Sequence, residues 1–307
     1  MMPASETLLR VAVISDGFPL WPLQVARSTG LFRREGVEVA LTVTASSAKQ
    51  IDGLERGDFD IGIQLPDHIV RSVARGADLF AFMAPAHALD IGFIASADIA
   101  SLRGLKGRAI AVDGARSGYA LLLRRLLRSE GLDDADYRLV EFGGTRERAD
   151  ALADKRAEAG FINPPFDRQL LARGFVRLTS TLEAFPAYPG VVAAARRSWA
   201  GEHAALLTGF IRAYRNAFAW LGDPRNREAA IDLACAWLCA ERAAAGAAWE
   251  DFACRPEPAL AADGMRQVID VVWDDEGFSS PEPNADRFLD LSYLERARHI
   301  VGGYENE

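Results

Sequence analysis

The chain has 307 residues, a length of roughly two ordinary domains at about 150 residues each or one large α/β unit. Half of the residues are apolar and a quarter are charged, which is ordinary globular composition. Thirty-five Lys and Arg against 43 Asp and Glu give a net charge of −8, so the electrostatic footprint of general nucleic-acid binding is missing.

No run of about 18 uncharged apolar residues occurs, which excludes a hydrophobic transmembrane helix. Met1 to Thr7 carry neither a basic n-region nor an apolar h-region, so either the protein stays in the cytoplasm or a leader has been removed. Cys235, Cys239 and Cys254 are odd in number and lack a His or further Cys at ligand spacing, so they read as plain thiols. No motif points to a metal, flavin or nucleotide, and no cofactor is expected.

From the N-terminus, Leu9 to Ile14 reads as a strand and Leu23 to Arg34 as a helix. Val37 to Val43 and Ala48 to Arg56 repeat the pair, followed by a strand at Ile61 to Gln64, a helix at Asp67 to Arg75 and a strand at Leu79 to Met83. Short β-branched runs alternating with helical patterns are the signature of parallel α/β units.

The pattern restarts with strands at Ile91 to Ala95 and Ala109 to Val112, then a Gly-containing turn and a helix. In that helix Tyr119, Leu122, Leu123, Leu126 and Leu127 face the core, and Arg124, Arg125 and Arg128 take the solvated side. Strands follow at Leu139 to Phe142, Ala159 to Ile162 and Phe175 to Leu178, with helices at Thr145 to Lys155 and Pro165 to Ala172. After the Pro-rich turn Phe185 to Gly190 and a strand at Val191 to Ala195, the chain is helical. Its first long helix carries the stripe Leu207, Phe210, Ile211, Tyr214, Phe218 and Leu221 and stops at Gly222-Asp223-Pro224. Further helices are expected over Arg227 to Cys239, Pro258 to Glu276 and Asn284 to His299.

Several stretches carry a resemblance. Asp16 to Ala26, Gly30-Leu31-Phe32 and Glu35-Gly36-Val37-Glu38-Val39 resemble the opening of type 2 periplasmic solute-binding proteins of ABC importers. The likeness is to their SsuA-like sulfonate, nitrate, taurine and thiamine-pyrimidine branch. It continues through Leu54 to Gly62, Leu102 to Val112, Gly190 to Arg197 and Asp290-Leu291-Ser292-Tyr293-Leu294. Single pieces are weak, but their order covers nearly the whole chain.

That resemblance implies a two-lobed α/β fold of the type 2 periplasmic-binding-protein kind, with a ligand cleft, hinge closure around the solute and a helical C-terminal wrap. The chain crossings are expected near Ala84 to Gly92 and Ala184 to Gly190. Lobe 1 would then hold residues 1–88 and 190–307, and lobe 2 residues 89–189. A periplasmic location, a monomer, and an ABC permease and ATPase as partners are implied in the same way, with cytoplasmic as the alternative location.

Independently of any family, ligands of open α/β sheets bind outside the carboxyl ends of the strands. In Gly114 to Tyr119, Gly114 and Gly118 permit close backbone approach and Ser117 can cap a helix whose N–H groups favour an anion, with Arg116 adding charge. An ordinary capped helix start with a solvated Arg116 fits equally well; Tyr119 opens the helix. Phe18 and Trp21 can form a stacking wall for a planar ligand or plug the core. Gln64 can hydrogen-bond a ligand, and Asp67 can do so or serve as an N-cap.

His87 lies at the first crossing and His68 just inside a helix; either can be structural or contact ligand. Asn163 offers donor and acceptor together, and Tyr188, near the second crossing, can cover the ligand or pack the hinge. The leading expectation is a non-catalytic protein that binds a small organic solute, anionic or aromatic or both, and hands it to an ABC importer. The alternative is a cytosolic enzyme on the same scaffold, similar to thiamine-pyrimidine synthase, a desulfinase or a decarboxylase. A soluble sensor domain working through closure is a third possibility.

Overall fold

The computed structural model describes residues 7–14, 16–86, 88, 90–164, 166–255, 257, 259–278 and 283–298. The chain folds as two compact units, Met1–His87 with Pro189–Met265 and Asn284–Glu307, and Ala88–Tyr188 with Arg266–Pro283.

In chain order the first unit begins with β1 (Thr7–Val13), α1 (Trp21–Ser28), α2 (Leu31–Arg34), β2 (Val37–Val43), α3 (Ser47–Arg56), β3 (Ile61–Gln64), α4 (Pro66–Ala74) and β4 (Leu79–Ala86). The second unit continues with β5 (Gly92–Ala95), β6 (Ala109–Val112), α5 (Gly118–Ser129), β7 (Arg138–Glu141), α6 (Thr145–Ala153), β8 (Ala159–Ile162), α7 (Phe166–Ala172), β9 (Val176–Ser180) and α8 (Thr181–Ala184). The chain then passes through β10 (Val191–Arg196), α9 (Arg197–Glu202), α10 (Ala204–Gly222), α11 (Arg227–Leu238), α12 (Arg242–Ala253), α13 (Ala262–Glu276) and α14 (Ser292–Arg298).

Each unit is built on a five-stranded sheet, ordered β2-β1-β3-β10-β4 in the first and β7-β6-β8-β5-β9 in the second. β1 is parallel to β2 and β3, whereas β10 runs antiparallel to β3 and β4. In the second sheet β6 is parallel to β7 and β8, and β5 is antiparallel to β8 and β9. The sheets are therefore mixed, not purely parallel. The reversed strands, β5 and β10, are the first strands after each passage between units, and they enter without the helical crossover that a parallel neighbour requires.

The first core lies where α1, α10 and α14 cover β1, β3, β4 and β10, and includes Leu9, Trp21, Phe80, Phe82, Phe210, Tyr214 and Tyr293. β3 is buried along its whole length, as expected of an inner strand whose two faces are both covered. A smaller core in the second unit joins Ile94, Ala111, Ala149, Leu152, Ala157, Ile162 and Leu170. There Gly160 is sterically required, because a Cβ would lie 2.8 Å from the Ala111 carbonyl oxygen.

Four segments differ from the sequence expectation for identifiable reasons. The single helix expected over Leu23 to Arg34 is two, because Gly30 takes a left-handed conformation at φ 74° between α1 and α2. α12 forms over an Ala-rich stretch with little apolar periodicity; alanine's helix propensity, with Ala245, Gly246 and Trp249 buried, is its signal. The helix expected from Asn284 is interrupted because Phe288 and Asp290 exchange backbone bonds with Ala81 of β4 at 2.8 and 3.0 Å. Asp290 then accepts from the Ser292 N–H at 3.0 Å, opening α14.

The fourth difference concerns residues 266–283, which group with the second unit. Acids at the end of α13 pair with the arginines of α5 that the sequence suggested were simply solvated. Arg124 reaches Asp275 at 3.2 Å, and Arg125 pairs with Asp274.

Candidate functional site

At and beyond the carboxyl ends of β1 and β3 in the first unit stand buried polar atoms that no described residue bonds. Trp21 opens α1 with Pro22 in the first turn, a position proline suits, and its indole is 1% exposed within the core. Phe18, partly buried in the short 3-10 turn before it, packs at a ring-centroid distance of 5.2 Å. The Trp21 Nε1–H has no hydrogen-bond acceptor among the described residues.

Gln64, the last residue of β3, is 2% exposed, and neither its Oε1 nor its Nε2 has a partner among the described residues. Asp67 lies in the first turn of α4 and is fully buried, with neither carboxylate oxygen hydrogen-bonded among the described residues and Arg71 Nη1 at 3.6 Å. The N-cap of α4 is Leu65, so Asp67 is not the capping residue that its position suggested. A buried polar group without a partner costs roughly 1–3 kcal/mol, and a ligand that supplies the missing bond recovers that energy.

In the second unit Ser117 caps α5, accepting from the Ala120 N–H at 3.1 Å. The same hydroxyl donates to Asp113 Oδ1 at 2.5 Å, and the Ala115 N–H donates to Glu141 Oε1 at 2.8 Å. Two carboxylates thus sit at the loop where a helix N-terminus alone would favour an anion. Arg116 is 78% exposed on its side chain and lies 3.4 Å from Glu276 of α13. Gly118 is buried in the first turn of α5, Gly114 has open space where a Cβ would stand, and Tyr119 is partly buried with its ring 6.4 Å from Phe161.

Asn163, just past β8, accepts through Oδ1 from the Thr145 hydroxyl at 3.1 Å. Tyr188, the last residue of the second unit's first segment, is buried edge-on against Phe185 at 6.4 Å. His68 is partly buried in α4. His87 lies outside the described residues.

Trp21, Gln64 and Asp67 therefore share one property in the first unit, burial without full hydrogen bonding among the described residues. Gly114, Ser117, Gly118, Tyr119 and Asn163 belong to strand ends of the second. Arg116 turns to an acid of its own unit.

Two polar residues escaped the sequence reading. Gln50 of α3 is fully buried and donates through Nε2 to the carbonyls of Ala12 and Ile63 at 2.7 and 3.0 Å, its Oε1 having no partner among the described residues. Arg148 of α6 is 6% exposed, donating to Phe161 O, Gly143 O and Thr145 Oγ1 at 3.2, 2.6 and 3.0 Å. Burial pushes its guanidinium pKa below the ordinary arginine value, with Asp113, Tyr119 and Glu147 acting in the opposite direction. For Gln50 the only signal was a polar residue on the apolar face of an amphipathic helix. For Arg148 it was an arginine flanked by the core positions Ala149 and Leu152.

Among the described residues no group of three or more His, Cys, Asp or Glu could hold a metal ion, and no helix is long and apolar enough to cross a membrane. Cys235 is partly buried on α11, and Cys239 and Cys254 are exposed just after α11 and α12; none follows a strand.

A family model described as "NMT1/THI5 like" matches residues 19–226, more than half of the chain. The chain belongs to the NMT1/THI5-like family. No curated protein sequence matches it.

Solved structures similar to this NMT1/THI5-like protein include the periplasmic aliphatic sulphonate-binding protein SsuA from Escherichia coli. That likeness has 19% identity and a TM-score of 0.73 and covers 94% of this chain and 99% of that one. The alkanesulfonate-binding protein SsuA from Xanthomonas axonopodis pv. citri, bound to MOPS, is similar at 18% identity and TM-score 0.70, covering 92% and 97%. The desulfurization enzyme DSZB is similar at 16% identity and TM-score 0.66, covering 95% and 99%. The fold is that of the two-lobed periplasmic binding proteins.

Proposed function

We propose that this protein is the substrate-binding component of an ABC-type importer, taking up a small organic solute that is anionic, aromatic or both. Periplasmic action, closure of the two lobes about a hinge and delivery to a permease and ATPase are part of the proposal. The observation that carries it is the set of buried polar atoms on Trp21, Gln64 and Asp67, at or beyond the carboxyl ends of β1 and β3, that have no hydrogen-bond partner among the described residues. These are hydrogen-bonding positions, one of them on a member of the Phe18–Trp21 aromatic pair, and a receptor needs no more chemistry than that. Micromolar affinity requires only about −8 kcal/mol.

In this reading Phe18 and Trp21 flank a planar or apolar part of the ligand, and Gln64 and Asp67 hydrogen-bond it. Tyr119, Asn163 and Tyr188 are the contacts proposed from the second unit. The Gly114 to Gly118 loop contributes close backbone approach, and Arg116 is a charge at the rim. The membership in the NMT1/THI5-like family and the likeness to the SsuA proteins support the receptor reading. The likeness to DSZB keeps an enzyme on the same scaffold as the alternative.

The test is a thermal-shift screen of the purified protein against alkyl and aryl sulfonates, aromatic acids, nitrate and pyrimidines, followed by mass analysis of each hit. A ligand at a hundred times its Kd adds about 2.7 kcal/mol of stability. A hit recovered unchanged supports the receptor. A hit that is consumed overturns it in favour of catalysis, with Asp67, His68 and His87 the first residues to vary.

A further inference from the structure

Arg148 is a buried cation in the second unit, and among the described residues no carboxylate lies within ion-pair distance of it. Its three described hydrogen bonds go to neutral acceptors, the Phe161 and Gly143 carbonyls and the Thr145 hydroxyl. Arginine can only donate, so the bond at 3.0 Å uses a lone pair of Thr145 Oγ1 and leaves its proton free to be given onward. That proton goes to Asn163 Oδ1 at 3.1 Å. With its oxygen so engaged, the Asn163 amide has two Nδ2–H donors that no described residue takes, at the carboxyl end of β8.

We propose that Arg148 and Thr145 form a one-directional hydrogen-bond relay that holds Asn163 as a donor, so that this subsite takes an oxyanion and disfavours a ligand donor. The inference deepens the receptor reading above and rests on it. Two physical effects act together. The relay favours the amide orientation with Oδ1 toward Thr145, where that oxygen takes the Thr145 proton, and the buried guanidinium adds a positive potential, offset in part by Asp113 and Glu147, that lowers the energy of a partly desolvated oxyanion. In the loop of Gly114 to Tyr119 the Ser117 hydroxyl and the Ala115 N–H already donate to Asp113 and Glu141, so what that loop offers an oxyanion is the charge of Arg116. Arg148 and Thr145 are positioning residues, and Asn163 is the contact.

The experiment titrates the full chain and its variants with benzenesulfonate, ethanesulfonate and nitrate as acceptor probes and with benzamidine as a donor probe, by calorimetry. Wild type is expected to bind at least one oxyanion and to bind benzamidine at least tenfold more weakly. Thr145→Val removes the hydroxyl at nearly constant shape and is expected to narrow that preference tenfold or more, and Thr145→Ser to restore it. Asn163→Asp is expected to keep the bond from Thr145 and lose oxyanion binding by tenfold or more. Damage to folding would lower affinity for all probes together and leave their ratio unchanged.

A Thr145→Val variant with the wild-type oxyanion preference overturns the relay and leaves the receptor reading standing. Wild type that binds neither these probes nor any compound of the wider screen counts against the receptor reading itself. The relay is then judged in the free protein by NMR. A slowly exchanging Thr145 hydroxyl proton, lost in Arg148→Lys or Arg148→Met, upholds the hydrogen-bond chain, and a freely exchanging one overturns it.

Discussion

The Gln50 side chain of α3 ties two parallel strands together at their carboxyl ends, donating to the Ile63 carbonyl of β3 at 3.0 Å and to Ala12 of β1 at 2.7 Å. These carbonyls lie one residue before Gln64 and one before Val13, where the strands end. A helix side chain thus fixes the edge from which Gln64 is presented. Replacing Gln50 by Leu keeps the volume close but leaves two buried carbonyls with one donor fewer. The expected loss is about 2 kcal/mol, within the range of roughly 1–3 kcal/mol for buried groups deprived of a partner. Urea denaturation of the variant measures it; a loss below about 0.5 kcal/mol would mean that the bridge is not structural.

Gln64 predicts the opposite sign for stability. Its amide is buried without a partner among the described residues, so Gln64→Leu removes an unsatisfied polar group and is expected to stabilise the free protein by about 1 kcal/mol. The same change is expected to weaken the best oxyanion or aromatic hit of the screen at least tenfold. Melting of the free protein and calorimetry of the hit separate the two effects. A variant that loses stability and keeps affinity makes Gln64 a structural residue and removes it from the proposed site.

Much of the fold was legible because its signals are local. β2, β3, β6 and β8 coincide with β-branched or apolar runs bounded by turn residues, and the Ser117 cap was foreseeable from a serine between two glycines. The mixed sheet direction was not, because strand order and polarity are set by which unit the chain is entering, and no residue type encodes that. Site residues divide along the same line. Trp21 and Gln64 could be singled out because one follows a strand and the other ends one, and both carry buried polar atoms that no described residue bonds. Arg148 was missed because its importance comes from Gly143, Phe161 and Thr145, which meet it only in the folded unit. Arg116 has the charge that sequence reasoning asks for, but Glu276, 160 positions away, takes it.

Tyr214 supplies a pH prediction. Its ring is buried in the core of the first unit with the hydroxyl donating to Pro85 O at 3.3 Å, and burial raises its pKa well above the ordinary tyrosine value. Tyr137 is raised as well, first by burial and then by its hydrogen bond to Asp134. A raised folded-state pKa contributes stability that is complete below the unfolded value of about 10 and is lost as pH climbs through the folded value. Denaturation midpoints are therefore expected to hold from pH 8 to about 10 and then fall, and the fall is expected to be shallower in Tyr214→Phe. Identical slopes in the two proteins would assign the alkaline loss to other groups.

Trp21 and Arg116 together test how the proposed contacts are divided. Trp21→Ala empties a core position, at a cost of about 3–5 kcal/mol, so loss of binding in that variant would say little about contact. Trp21→Phe keeps a ring against Phe18, removes the indole N–H, which has no acceptor among the described residues, and makes the buried side chain smaller by one fused ring. Its expected effect is a several-fold or greater loss of affinity for ligands with an acceptor, at a stability cost below that of Trp21→Ala. Arg116, 78% exposed and paired with Glu276, sits in high dielectric where such pairs contribute little to folding. Arg116→Ala is therefore expected to leave melting unchanged and to weaken anionic ligands, with the difference from wild type shrinking as salt rises. Wild-type affinity in Arg116→Ala at low salt would confine Arg116 to its pair with Glu276, and wild-type affinity in Trp21→Phe would place the indole wholly in the core.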